Sequence, residues 1–253
     1  MCLLLVAWKL HPRHDLVLAA NRDELHDRAT GPLDFWPDLP GVAAGRDLAA
    51  AGTWLAVHRD GRFAAVTNYR GDQTPAAGGR SRGELVTRFL AARDSPEQHV
   101  GQLAARAAGY AGFNLLLGDG EELWYASNRL PGFARRLQPG IYGLSNHLLD
   151  TPWPKVTTGI VAMRAHVDAG REDVAALFET LSRQQDDAAA AGDLPWPASS
   201  GPFIAHEEFG TRASTIVCRE PGAAMTLEER RFGPLGRPLG VTRLSLPLAG
   251  APA

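Results

Sequence analysis

The 253-residue chain predicts an α+β fold built of stacked layers. Predicted elements run strands, helices, strands, helices, strands, which suits layered packing and not a repeating βαβ unit. The first hairpin is apolar on both faces, with Leu3, Leu5 and Ala7 on one side and Leu4, Val6 and Trp8 on the other, as in a sheet covered on both sides. Gly118-Asp119-Gly120 lacks the third glycine of a dinucleotide fingerprint and leads into a strand.

Leu3 to Leu10 and Asp15 to Asn21 read as the strands of that hairpin, with His11-Pro12-Arg13-His14 as the turn. Pairing Leu10 with Asp15 would set Cys2 opposite Asp23 at the open end. Side chains alternate along a strand, so Asn21 and Asp23 should share the face of Cys2, with Arg22 and Glu24 on the other. Thr30 to Gly52, rich in Pro and Gly, reads as a long loop. Trp54 to His58 and Arg62 to Asn68 form a second hairpin across Arg59-Asp60-Gly61, where Gly61 takes positive φ.

Ser81 and Glu84 make a capping-box pattern ahead of a helix with Leu85, Val86, Phe89 and Leu90 inward, and Ser95-Pro96-Glu97 opens another. Strands follow at Phe113 to Leu117, Glu122 to Ser127, Ala134 to Leu137 and Ile141 to Leu144. Helices are expected over Trp153 to Val167 and Glu172 to Gln185, and a loop over Asp186 to Pro202. Gly210 to Arg219 and Met225 to Phe232 complete the pattern as a hairpin. A single domain over residues 1–253 is the simplest organisation.

Composition narrows the function classes. Twenty-six Lys and Arg against 28 Asp and Glu, with no dense basic stretch, argue against a nucleic-acid partner. The N-terminal apolar run is short, lacks a charged leader and is broken by Lys9, so neither a transmembrane segment nor a signal peptide is expected, and a cytoplasmic location follows. The eight histidines show no metal-ligand spacing. Of the two cysteines, Cys218 lies in an apolar strand and is expected buried and reduced. Removal of Met1 would place the thiol of Cys2 and a free α-amine on one residue, a nucleophile carrying its own base.

Five blocks in order, Cys2 with Asn21-Arg22-Asp23-Glu24, Thr67-Asn68-Tyr69-Arg70, Gly143-Leu144-Ser145-Asn146, Pro152-Trp153-Pro154-Lys155 and Gly210-Thr211-Arg212-Ala213-Ser214-Thr215, resemble the NRDE family, the transport and Golgi organisation protein 2 family. The resemblance implies the four-layer αββα sandwich of N-terminal-nucleophile hydrolases, with two mainly antiparallel sheets between helices. More distantly, the blocks look like the penicillin V acylase and bile salt hydrolase group of cysteine amidases. That comparison makes Cys2 the nucleophile, Asp23 the partner of its amine and thiol, Asn146 the oxyanion-hole residue and Arg212 the late arginine, with Asn21, Arg22, Asn68 and Tyr69 lining the substrate site. Those amidases carry an arginine three residues before the aspartate, where this chain has Ala20, and Arg22 is expected to point away from Cys2.

Two functions follow from the resemblance. One is an amide (C–N) or thioester hydrolase acting on a small or acyl-bearing substrate through Cys2, with no cofactor required. The other is a non-enzymatic carrier that binds haem or acyl-CoA and lipid in the same cleft. No Cys-x-x-Cys-His site is present, so haem would be held non-covalently. The sequence sets no oligomeric state.

Overall fold

A computed structural model describes residues 2–70, 79–184 and 201–248. Among the described residues, thirteen strands form two antiparallel sheets. The first sheet runs β10-β1-β2-β11-β12-β13 and the second runs β3 to β9 in chain order. The first sheet's strands are β1 (Cys2–Trp8), β2 (Leu16–Leu25), β10 (Gly140–Leu144), β11 (Phe209–Glu220), β12 (Ala224–Phe232) and β13 (Pro238–Pro247). The second sheet holds β3 (Thr30–Phe35), β4 (Val42–Asp47), β5 (Leu55–His58), β6 (Phe63–Asn68), β7 (Phe113–Gly118), β8 (Leu123–Ser127) and β9 (Ala134–Leu137).

Period-two alternation sorts the side chains into three apolar layers. Leu4, Val6 and Trp8 of β1 join Phe63, Ala65, Leu116 and Tyr125 of the second sheet in the layer between the sheets. Leu3, Leu5 and Ala7 point the other way, onto α3 (Pro154–Asp168) and α4 (Ala175–Leu181) through Val156, Met163, Leu177 and Phe178. The outer face of the second sheet is covered by α1 (Gly83–Ala91) and α2 (Pro96–Ala104) through Leu85, Phe89, Val100 and Leu103. Layer order is therefore helices, sheet, sheet, helices, the expected αββα sandwich. Among the described residues no helix is long and apolar enough to cross a membrane.

Three expectations need correction. Thr30 to Gly52 is not a loop, because it contains β3 and β4. Their backbone pairs with each other and, through β4, with β5, so extended pairing prevails over the local Pro and Gly content. Ser81 does not cap α1, whose N-cap is Arg82 with no side-chain cap bond, whereas Ser95 and Gln98 form a complete capping box on α2. The expected helix from Glu172 is shorter, Ala175–Leu181, and its expected end at Gln185, like most of the Asp186–Pro202 loop, lies outside the described residues.

The register of β1 on β2 also differs. Cys2 pairs with Arg22, Leu3 with Asn21 and Trp8 with Leu16. The expected Leu10–Asp15 pair does not form, because the Asp15 carbonyl accepts the N–H of Lys9 at 2.8 Å, one residue earlier, while the other edge of Asp15 is held by β11. Its N–H donates to the Arg219 carbonyl at 3.0 Å, and its carboxylate receives the Arg219 guanidinium, with Nε at 2.8 Å. Lys9 leaves the strand in a left-handed conformation (φ 51°). The imidazole Nδ1 of His11 then accepts the N–H groups of Arg13 and His14, which closes a wider turn than a four-residue hairpin loop.

Close approach of α3 to β1 depends on Gly159. A Cβ there would stand 2.6 Å from the Leu5 side chain, below van der Waals contact. Gly159→Val should force α3 away from β1 and destabilise the chain by about 2 kcal/mol. A fall in Tm of roughly 5 °C checks it, and an unchanged Tm would contradict this packing.

Candidate active site

The side chain of Cys2, at the open end of β1, is on the face of Leu4, Val6 and Trp8, toward the second sheet. Directly opposed residues of an antiparallel pair share a face, so the side chain of Arg22 stands beside that of Cys2. This reverses the expectation that Asp23 faces the thiol and Arg22 points away. Asp23 lies one position further along β2, opposite Thr211 of β11, on the helix-covered side with Asn21. Asp23 is thus the next residue along β2 beyond the direct partner of Cys2.

On the other flank, β1 pairs with β10 through Leu4 and Leu144, and the chain beyond β10 brings Ser145 and Asn146 alongside Cys2. Cys2 N–H donates to Asn146 Oδ1 at 3.0 Å, and Ser145 Oγ donates to the Cys2 carbonyl at 2.7 Å. Asn146 Nδ2 in turn donates to the Asn68 carbonyl at 3.0 Å, which ties the first sheet to the end of β6. Beneath this bridge Thr67 Oγ1 donates to the Ser145 carbonyl at 2.7 Å, Asn114 Nδ2 to Thr67 Oγ1 at 3.2 Å, and Tyr125 OH to Asn114 Oδ1 at 2.7 Å. Such a satisfied buried network fixes both the rotamer and the amide orientation of Asn146.

Arg22 is buried and is placed by contacts from both sheets. Its guanidinium lies 4.3 Å over the Trp54 ring and donates to Thr30 Oγ1 at 3.1 Å. Trp54 can lie there because Gly45 has no side chain: a Cβ would come within 2.5 Å of the indole. The acids nearest Arg22 are Glu24 at 3.8 Å and Asp47 at 4.0 Å, and Asp47 makes its close pair with Arg28 at 2.8 Å. Burial lowers the pKa of Arg22, opposed by Glu24, Cys2 and Asp47, and a guanidinium remains protonated throughout.

Asp23 is buried as well, and Thr211 Oγ1 donates to its Oδ1 at 2.7 Å. Burial raises its pKa, and Lys155, Thr211 and Arg22 hold it down. The other expected residues are placed less directly. Asn21 directs its amide at the carbonyls of Leu181 and Pro202, both at 2.8 Å, and receives Ser214 Oγ at 2.6 Å, so it ties α4 to the sheet. Arg212 sits in the β-bulge between Thr211 and Ala213 and donates to the carbonyls of Leu25 and Arg28 at 2.6 and 3.0 Å, pinning the turn after β2. Asn68 contributes its carbonyl while the residue itself is exposed. Tyr69 OH meets His147 Nε2 at 2.9 Å, and His147 Nδ1 meets Thr151 Oγ1 at 3.0 Å.

Two cations near Cys2 were not singled out from the sequence. Arg82, at the start of α1, has its pKa lowered by burial and raised by the charges of Cys2 and Glu24. Lys155, in the first turn of α3, is buried and electrostatically linked to Asp23 and Cys2. A sequence signal for Lys155 existed: it is four residues before Gly159, on the stripe that includes Met163 and Val167, where an apolar residue is the norm. A cavity of about 140 Å³ between α1 and α2, lined by Leu85, Arg88, His99 and Tyr110 among others, includes none of these residues.

The fold is that of the N-terminal-nucleophile hydrolases. The conjugated bile acid hydrolase of Clostridium perfringens, in a crystal structure of its C2A mutant, superposes with a TM-score of 0.55 at 8% identity, covering 97% of this chain and 92% of that one. The chain itself belongs to the transport and Golgi organisation 2 family, whose model matches residues 1–234. It is 33% identical to the transport and Golgi organization protein 2 homolog of Bos taurus and 31% identical to that of Homo sapiens, in each case across 91% of this chain and 92% of the relative.

The two thiols should differ in reactivity. Cys2 is partly exposed, while burial pushes the Cys218 thiol up to about 12, so Cys218 stays a neutral thiol at any pH well below that. Iodoacetamide at about pH 8 should modify Cys2 alone in the folded chain, with Cys218 reacting only after denaturation, as peptide mass mapping can check.

Proposed function

We propose that this chain is an amide or thioester hydrolase in which Cys2 acts as N-terminal nucleophile on a small acyl-bearing substrate, with no cofactor. The observation that carries the reading is the setting of Cys2: its nitrogen is held 3.0 Å from Asn146 Oδ1, and Arg22 stands directly across the strand pair from its side chain. Once Met1 is removed that nitrogen is an α-amine, and donation of one N–H to Asn146 directs its lone pair away from the amide and toward its own thiol.

An α-amine near 8 and a thiol near 8.5 exchange a proton readily at neutral pH. The amine takes the Sγ proton, Arg22 stabilises the thiolate, and sulfur attacks the substrate carbonyl. The second N–H of the Asn146 amide serves the oxyanion. Collapse transfers the proton from the ammonium to the leaving amine or thiol, giving an acyl-thioester on Cys2. Water, deprotonated by the same amine, then releases the acid. Asp23, on the amine side of Cys2, favours the ammonium that forms between these steps. Arg22 matters here because its face was the point on which resemblance to the cysteine amidases depended: with Ala20 lacking a charge, Arg22 is the cation opposite the nucleophile.

The measurement is turnover of acyl amides and acyl thioesters by chain shown by intact mass to begin at Cys2. Cys2→Ala should lower kcat by at least about a thousandfold and leave substrate affinity within a few fold, since the thiol acts in the transition state. An acyl adduct on Cys2 should be trapped in single turnover. Absence of both turnover and adduct, with haem or acyl-CoA bound equally well by wild type and Cys2→Ala, would favour the carrier reading instead.

A further inference from the structure

One charged group at this end of β1 has no role in the steps above. Lys155 is 2% exposed, and its Nζ has no hydrogen-bond partner among the described residues. An ammonium carries three donors and is costly to remove from water without partners. The first turn of a helix adds an unfavourable dipole. Buried cations at such a cost persist where a fixed charge faces them. Asp23 from β2 is that charge: burial lowers the pKa of Lys155, Asp23 and the neighbouring Cys2 of β1 oppose the shift, and Arg70 from the segment after β6 adds to it. Asp23 is itself fixed by the Thr211 hydroxyl of β11 and influenced by Arg22.

We propose that Lys155 is a positioning residue of the Cys2 site: its charge, set behind β1 near Asp23, keeps Asp23 a carboxylate and opposes a second positive charge on the Cys2 amine. This rests on Cys2 being an N-terminal nucleophile. Asp23 alone would hold the amine as ammonium, which has no lone pair for the thiol. Lys155 supplies the counterweight, so that the amine is free base before attack and still finds a carboxylate when it becomes ammonium. Lys155 takes no part in the proton transfer, which runs from Sγ to the amine to the leaving group. The sign follows. Removing the Lys155 charge favours the protonated amine and the protonated thiol alike, so both titrate at higher pH.

The test is the rate of Cys2 alkylation by iodoacetamide from about pH 5.5 to about 10, with Tm recorded, on chain beginning at Cys2 in wild-type, Lys155→Met, Lys155→Arg and Asp23→Asn forms. Lys155→Met should move the midpoint up by about one pH unit, and Asp23→Asn should move it down. Lys155→Arg should stay close to wild type. A merely structural lysine would change Tm and leave the midpoint alone. Superposition of the Lys155→Met and wild-type profiles overturns the proposal, and if that variant does not fold, Lys155→Gln is judged by the same midpoint. Chain retaining Met1 separates the two readings. If it alkylates with the same profile as trimmed chain, the amine has no part and the nucleophile reading itself fails. If the profiles differ while Lys155→Met matches wild type, only the role of Lys155 falls.

Discussion

The register of β1 between β2 and β10 is the constraint on which the site depends. Side chains alternate with period two, so a slip of one residue would exchange every group at the end of the strand between the inter-sheet layer and the helix layer. In the register formed, the thiol of Cys2 lies on the side of Arg22, while its nitrogen is bonded to Asn146 on the other edge of the strand. One residue therefore presents its two reactive groups to different surroundings, a guanidinium on one side and a neutral amide on the other. The turn that enforces this is not a local device alone, since Asp15 is fixed by Arg219 on the neighbouring strand β11.

A second constraint is that the two sheets must meet at this end without leaving polar groups unpaired. Most of the inter-sheet layer is Leu, Val, Ala, Phe and Tyr. At the end of β6, however, Thr67, Asn114, Ser145 and Asn146 form a continuous hydrogen-bonded path from β7 across to Cys2. Asn146 is the junction, because its amide oxygen serves one sheet and its amide nitrogen the other. Losing one member would leave a buried partner unsatisfied, at a cost of about 1–3 kcal/mol. The geometry around Cys2 is thus held by packing of the whole sandwich and not by the strand end alone.

Much of this was legible in the sequence. Alternating Val, Ile, Leu and aromatic runs located β5 to β10 within a residue or two, and Gly61 takes the positive φ of 93° that its turn position implied. The Ser95 box and Pro96 started α2 as their chemistry dictates. The Cys2, Asn146 and Asp23 blocks come together around one strand end. What failed has physical causes. β3 and β4 lie in a Pro- and Gly-rich stretch whose extended form is imposed by partner strands. β13 is a largely exposed edge strand with no buried alternation to reveal it. The hairpin register turned on one extra loop residue, since Lys9 and not Leu10 bonds Asp15, and with it went the faces of Arg22 and Asp23.

The electrostatics of Arg22 show how stability and chemistry are balanced. Burying a guanidinium is unfavourable unless it is closely paired, and a bidentate carboxylate would be the most stable partner. Two carboxylates are present, but both lie at 3.8 Å or more, and the shorter contact of Asp47 goes to Arg28. The indole of Trp54 and the hydroxyl of Thr30 support the cation without neutralising it. A close pair would cancel the charge locally, whereas this arrangement leaves the guanidinium to act on its direct partner across the strand pair, the thiol of Cys2. Removing Gly45, and so displacing Trp54, would weaken that support without touching either reacting atom. The small residue on β4 and the nucleophile on β1 therefore belong to one electrostatic unit, although they lie in different sheets.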